Sequence, residues 1–147
     1  VLIAGRADTG RPAVGMAHAS WRSTVGGITA RVVARLRDEF DVAPTSLRAA
    51  IAPSAGPCCY EVGEEVRDGA RSALGPGADG FFRRDAGRLV FDLWAANTAQ
   101  LTASGVPREQ IEVSGVCTIC QGARFWSWRV QGVQAGRFAG AVGILAD

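Results

Sequence analysis

The sequence predicts an α+β fold in one domain spanning residues 1–147. Three observations carry that prediction. Short apolar runs bounded by glycine and proline recur along the chain, as strands do. Longer stretches, residues 23–40 above all, place apolar residues at helical spacing. The predicted strands are often neighbours in sequence, which favours α+β over a regular βαβ alternation.

Residues 1–4, Val-Leu-Ile-Ala, read as a strand, and residues 5–12 as a polar turn. Residues 13–17 read as a second strand, so the first two form a hairpin. Ser23 or Thr24 can cap a helix running to Phe40, with Ile28, Val32, Val33, Leu36 and Phe40 on one side. Residues 47–52 form a short apolar strand that stops at Pro53, and residues 54–60 are a constrained loop. A helix is expected over residues 63–74, ended by Gly75-Pro76-Gly77. Phe81-Phe82 and residues 88–90 suggest two short strands. Asp92 can cap a helix to about Ala103, with Leu93, Ala96, Ala99 and Leu101 giving a partial apolar face. Residues 111–113 read as a strand and 117–122 as a turn. Residues 125–129 and 137–145 read as the last two strands.

Composition narrows the function classes. The chain is 48% hydrophobic and 20% charged, a soluble globular balance. A net charge of +2 with dispersed arginines offers no footprint for nucleic acid. All 16 basic residues are arginine, as a GC-rich genome would give. No run approaches the roughly 20 apolar residues of a membrane span, and no signal peptide opens the chain. The cytoplasm is therefore the expected compartment. The start at Val1-Leu2-Ile3-Ala4, in mid-strand, suggests an incomplete chain.

His18 is the only histidine, and it follows the apolar run 13–17. It reads either as a packed or hydrogen-bonded core residue or as a zinc ligand or general base at a strand end. Arg22 lies one turn further on, where a guanidinium and free backbone N–H groups can hold a phosphate or carboxylate. Cys58 and Cys59 are adjacent and, in an extended segment, would face opposite ways and chelate one ion poorly. Cys117-Thr118-Ile119-Cys120 has the spacing of a zinc or redox pair, but a lone C-x-x-C is a weak signal. The simplest reading leaves the four cysteines as ordinary buried or turn residues. Glu61, Glu64 and Glu65 suit the first turn of a helix more than acid–base chemistry. In the string Phe125-Trp126-Ser127-Trp128-Arg129, Arg129 points either into a cleft or outward.

The order of these strings resembles the laccase-domain family. It carries a His-Ala-Gly-Trp-Arg-Gly string, matched by residues 18–23, and a Gly-Pro-Cys-Cys-Tyr-Glu-Val string within residues 52–62. An Asp-Leu-x-x-Ala-Asn string is matched by residues 92–97, Cys-Thr by Cys117-Thr118, an aromatic-Ser-aromatic-Arg string by residues 125–129, and Gly-Arg-x-Ala by residues 136–139. The resemblance runs from near Val1 to near Leu145. Ser20 and Ser23 stand where the family prefers glycine, and Val130 where many members have a second arginine.

The resemblance implies a mixed αβ sandwich of the laccase-domain, cytotoxic-necrotizing-factor-like type, N-terminally incomplete and amounting to the C-terminal three-fifths of the domain. It implies a zinc-dependent purine nucleoside phosphorylase acting on adenosine, inosine or methylthioadenosine with phosphate, with adenosine deamination as a further activity. His18 then corresponds to the last of three zinc ligands. The other two belong to Gln-Val-His-Gly and Thr-Ala-Asp-Cys strings that this sequence does not contain. Arg22 becomes a phosphate or substrate anchor, Arg129 a second one, and Cys58 and Cys59 shape a loop near the site. The expected partners are the nucleoside and phosphate, with no nucleic acid and no membrane. One rival is a metal-free, non-catalytic remnant. Another is the polyphenol oxidase of the older family name, with copper as cofactor, for which one histidine is too few. A thiol–disulfide module on Cys117 and Cys120 would need a C-x-x-C at a helix start in a βαβ setting.

Overall fold

In a computed structural model that describes residues 1–145, the chain forms two compact units, one of residues 1–52, 97–113 and 140–145, the other of residues 53–96 and 114–139. Both combine strands and helices, in keeping with the α+β prediction.

The first unit is built on a four-stranded mixed sheet. Strands β1 (Leu2–Arg6), β2 (Pro12–Met16), β3 (Arg48–Ile51) and β6 (Ile111–Val113) lie in the order β2-β1-β3-β6. The first two make the expected hairpin, with Leu2 opposite Met16 and Arg6 opposite Pro12. β3 runs antiparallel to β1 and parallel to β6. β2 is an edge strand, and its Val14 and Met16 are exposed. Edge strands cover one face only, so alternate side chains meet water.

The helix expected over residues 23–40 is two helices. α1 (Trp21–Val25) begins earlier because Ser20, not Ser23 or Thr24, caps it, its hydroxyl accepting from the Ser23 N–H at 3.4 Å. Gly26 and Gly27 then break the helix, Gly27 with φ +74°, and α2 (Ile28–Phe40) restarts beyond them. α2 buries Thr29, Val33 and Leu36. Gly15 lets it approach β2, since a Cβ there would lie 2.6 Å from Val32 Cγ1. Ile3, Val42, Leu47, Leu101 and Val106 complete this core.

The second unit holds α3 (Glu64–Leu74), the hairpin of β4 (Phe82–Asp85) and β5 (Arg88–Phe91), and α5 (Trp128–Gln131). The hairpin turn Ala86-Gly87 has positive φ at both residues, the twist two-residue turns need. Phe91 anchors the core, stacked on Phe82 with centroids 4.6 Å apart. α4 (Leu93–Ala103) opens with the predicted cap, Asp92 Oδ1 accepting from the Ala95 N–H at 2.9 Å. Its buried positions are Leu93, Ala96, Asn97 and Leu101, whereas Ala99 is exposed.

Residues 125–129 and 137–145 form no strands. Gln131 Oε1 accepts from the Ser127 N–H at 2.8 Å and turns that aromatic run into the start of α5. Residues 135–145 are irregular, with Gly136, Gly140 and Gly143 weakening any ladder.

Candidate metal centre and anion-binding residues

The constrained loop at residues 54–60 turns out to be a turn, not an extended segment. Gly56 O accepts from the Cys59 N–H at 3.0 Å and the Tyr60 N–H at 2.9 Å. That curl brings Cys58 and Cys59 to one side, which corrects the expectation that they face apart. A second loop lies against it: Ser54 N–H donates to Val116 O at 3.2 Å, and Thr118 N–H to Ser54 O at 3.0 Å. Cys117 and Cys120 are carried on the turn that follows, closed by Gln121 N–H to Cys117 O at 3.0 Å. The sulfur atoms of Cys58, Cys59, Cys117 and Cys120 all lie within 4.8 Å of one another. Cys120 Sγ is 3.3 Å from Cys58 Sγ and 3.1 Å from Cys59 Sγ.

The close approach of the loops depends on Gly56. Its N–H donates to Cys117 Sγ at 3.3 Å, and a Cβ there would lie 2.7 Å from Trp94 Cη2 and 3.0 Å from Cys117 Cβ. Trp94 is itself fixed by its indole N–H to Ser54 Oγ at 2.7 Å. Burial opposes ionisation of Cys117, but backbone N–H groups of Cys120, Gly56 and Ile119 aimed at its sulfur outweigh that and bring the thiol down to about 7. Burial and the neighbouring Cys120 push the Cys58 thiol up. The contact with Cys120, then burial, pushes Cys59 up as well. As expected of buried or turn cysteines, Cys117 is buried and all four lie on turns, but their sulfurs converge.

His18 sits in the loop between β2 and α1 with an exposed side chain, and its carbonyl accepts from Ser23 Oγ at 2.7 Å. Among the described residues it belongs to no group of three or more His, Cys, Asp or Glu side chains with converging ligand atoms. Arg22 is exposed on α1, its guanidinium 4.3 Å from the Trp21 ring centroid. The ion pairs of the described residues engage Arg35, Arg37, Arg67, Arg71, Arg83, Arg84 and Arg88, and Arg22 is not among them. The expected anion cradle at the helix start is smaller than read from sequence, because Ser20 already takes the Ser23 N–H.

Arg129, on α5, lies 5.0 Å from the Tyr60 ring centroid and donates to Glu61 O at 2.9 Å. Neither fixed orientation follows from the sequence: Arg129 is exposed but bound back onto the segment after the cysteine turn. Glu64 and Glu65 occupy the first turn of α3 as expected, while Glu61 precedes it in a bridge to Val90.

A mixed α+β fold with a clustered set of metal-competent thiols defines a candidate metalloprotein. Comparison with known proteins places it more closely. The chain belongs to the multi-copper polyphenol oxidoreductase laccase family, whose model matches residues 1–145. It is 40% identical over 131 residues to the protein named purine nucleoside phosphorylase YlmD of Geobacillus stearothermophilus, covering 88% of this chain and 48% of the relative. It is 38% identical over 125 residues to one named adenosine deaminase RL5, from an unknown prokaryotic organism, covering 84% of this chain and 47% of that one. The crystal structure of YlmD from Geobacillus stearothermophilus superposes with a TM-score of 0.75 over 87% of this chain and 47% of that one, at 40% identity. The chain thus spans about half the length of the curated relatives it matches.

Proposed function

We propose that this chain carries part of the active site of a purine nucleoside phosphorylase, acting on adenosine, inosine or methylthioadenosine, with adenosine deamination as a companion activity. The observation that carries the reading is the 40% identity, over 88% of the chain, to a protein named for that phosphorylase activity. The protein named for adenosine deamination supports the companion activity.

In phosphorolysis a phosphate oxygen forms the new bond to ribose C1′ as the bond from C1′ to the purine nitrogen breaks. The electron pair leaves with the base, which takes up a proton, and positive charge develops on the ribose in between. A phosphate held by guanidinium groups approaches in the right place without losing its charge. We assign Arg22 that role. It has no carboxylate partner among the described ion pairs, so its planar fork of donors is open to phosphate, and stacking on Trp21 steadies it. Arg129 is the weaker candidate, because one of its donors is already committed to Glu61 O.

His18 is assigned as one ligand of the zinc that the family resemblance implies. Zinc sites need three or four protein ligands. With no converging ligand group at His18 among the described residues, the residues present do not fit a complete zinc site there. His18 supplies one imidazole and no more.

The test is phosphate-dependent release of adenine or hypoxanthine by the complete gene product that carries this chain. Arg22→Ala is expected to raise KM for phosphate about tenfold or more, the loss of a charge-assisted contact, with a smaller change in KM for the nucleoside. Base release that is absent, or that does not depend on phosphate, refutes the proposal.

A further inference from the structure

We infer that Cys58, Cys59, Cys117 and Cys120 form a closed tetrathiolate site for a zinc ion, separate in composition from any site that uses His18. The four sulfurs converge within 4.8 Å, with the two nearest contacts at 3.1 and 3.3 Å. In a tetrahedral site with Zn–S bonds of about 2.3 Å, sulfurs stand about 3.8 Å apart. The nearest contacts are shorter than that distance and the 4.8 Å outer limit is longer, so individual sulfur spacings need change by no more than about 1 Å to close on an ion.

The backbone is arranged for the same purpose. One pair of ligands comes from the turn closed on Gly56 O and the other from the turn closed on Cys117 O. The paired bonds of Ser54 with Val116 and Thr118 hold the two turns together, although about 60 residues separate them in sequence. The Gly56 N–H points at Cys117 Sγ, the kind of donor that supports a metal-bound thiolate. Gly56 is also the position where a Cβ would strike Trp94 and Cys117. Arg83, donating to Pro57 O at 2.9 Å, brings positive charge to a loop that would carry two thiolates.

A disulfide fits the arrangement less well. Cys120 is almost equidistant from Cys58 and Cys59, so no single pair is selected, and any one bridge leaves two thiols without a role. Four thiolates around one ion, with no ligand position left for water, make the site structural. Zinc binding would release protons from the thiols and fasten two loops of the second unit.

The experiment is zinc content by elemental analysis of the 147-residue chain, purified without chelator under reducing conditions, with His18→Ala, Cys58→Ser and Cys120→Ser alongside. The expected result is one zinc per chain in the parent and in His18→Ala, and loss of stoichiometric zinc in both cysteine variants. Cys58 and Cys120 are exposed, so serine there leaves the core untouched. Zinc-edge absorption on the parent chain, which needs no variant, is expected to give four sulfur neighbours at about 2.3 Å. The inference is overturned by a parent chain without zinc, by iron or copper in its place, or by a Cys58–Cys120 or Cys59–Cys120 disulfide in protein kept reduced. It is equally overturned by nitrogen in the zinc shell, or by zinc that is lost with His18 and kept with Cys120→Ser.

Discussion

Replacing Gly56 with alanine tests the packing that brings the cysteine loops together. The added Cβ would sit 2.7 Å from Trp94 Cη2 and 3.0 Å from Cys117 Cβ, where carbon atoms normally rest about 3.5–4.0 Å apart. Neither neighbour yields easily. Trp94 is held by its bond to Ser54 Oγ at 2.7 Å, and Cys117 is buried on a loop laced to Ser54. Overpacking of this kind costs about 1–3 kcal/mol, and loss of the Trp94 bond would add about 1 kcal/mol. A loss of about 2 kcal/mol lowers Tm by about 4–8 °C in a chain of this length. The assay is urea and thermal unfolding of Gly56→Ala beside Gly77→Ala, where a Cβ meets nothing within 4 Å. Equal stability of the two variants, within about 0.5 kcal/mol, would refute the argument that Gly56 sets the loop spacing.

Gly69 lies inside α3 with open space at its Cβ position, so Gly69→Ala is expected to stabilise the chain by about 0.5–1 kcal/mol, read by urea unfolding. Thr24 and Asn97 are buried together, the Asn97 amide donating to Thr24 Oγ1 at 3.1 Å. Thr24→Val removes the buried hydroxyl that accepts from this amide and is expected to cost about 1–3 kcal/mol, and an unchanged denaturation midpoint would contradict this. The Arg71 guanidinium holds the Asp79 carboxyl below the usual carboxylate range through two bonds at 2.7 and 2.8 Å. Because the folded value is the lower one, the pair stabilises above the ordinary carboxylate pKa and ceases to as pH falls through the folded value. Carboxyl NMR titration should show Asp79 moving up in Arg71→Gln.

The sequence carries most of the local structure where one signal dominates. The hairpin of β1 and β2, the Asp92 cap of α4 and the Gly75 stop after α3 each rest on a residue whose chemistry permits little else. It misleads where two signals compete. Residues 28–40 and the run before them share helical spacing, and only the left-handed backbone at Gly27 separates α1 from α2. Aromatic alternation at 125–129 suggests a strand, yet the Gln131 side chain closes a helical turn there. The cysteine cluster was not legible. Gly56 and Pro57 before Cys58 announce a constrained loop, but adjacency alone turns Cys58 and Cys59 apart, and it is the bonds of the Cys59 and Tyr60 N–H groups to Gly56 O that bring them to one side. Their meeting with Cys117 and Cys120 depends on the bonds of Ser54 to a loop far along the chain, and no local pattern encodes that. The bond of Arg129 back to Glu61 O is likewise tertiary.

The central functional claim is best tested by following inosine and phosphate with phosphorus NMR in the presence of the complete gene product. Growth of a ribose 1-phosphate resonance in step with hypoxanthine, and its slowing in Arg22→Ala at low phosphate, is the predicted result. Hypoxanthine without the sugar phosphate, or no conversion at all, would contradict the account.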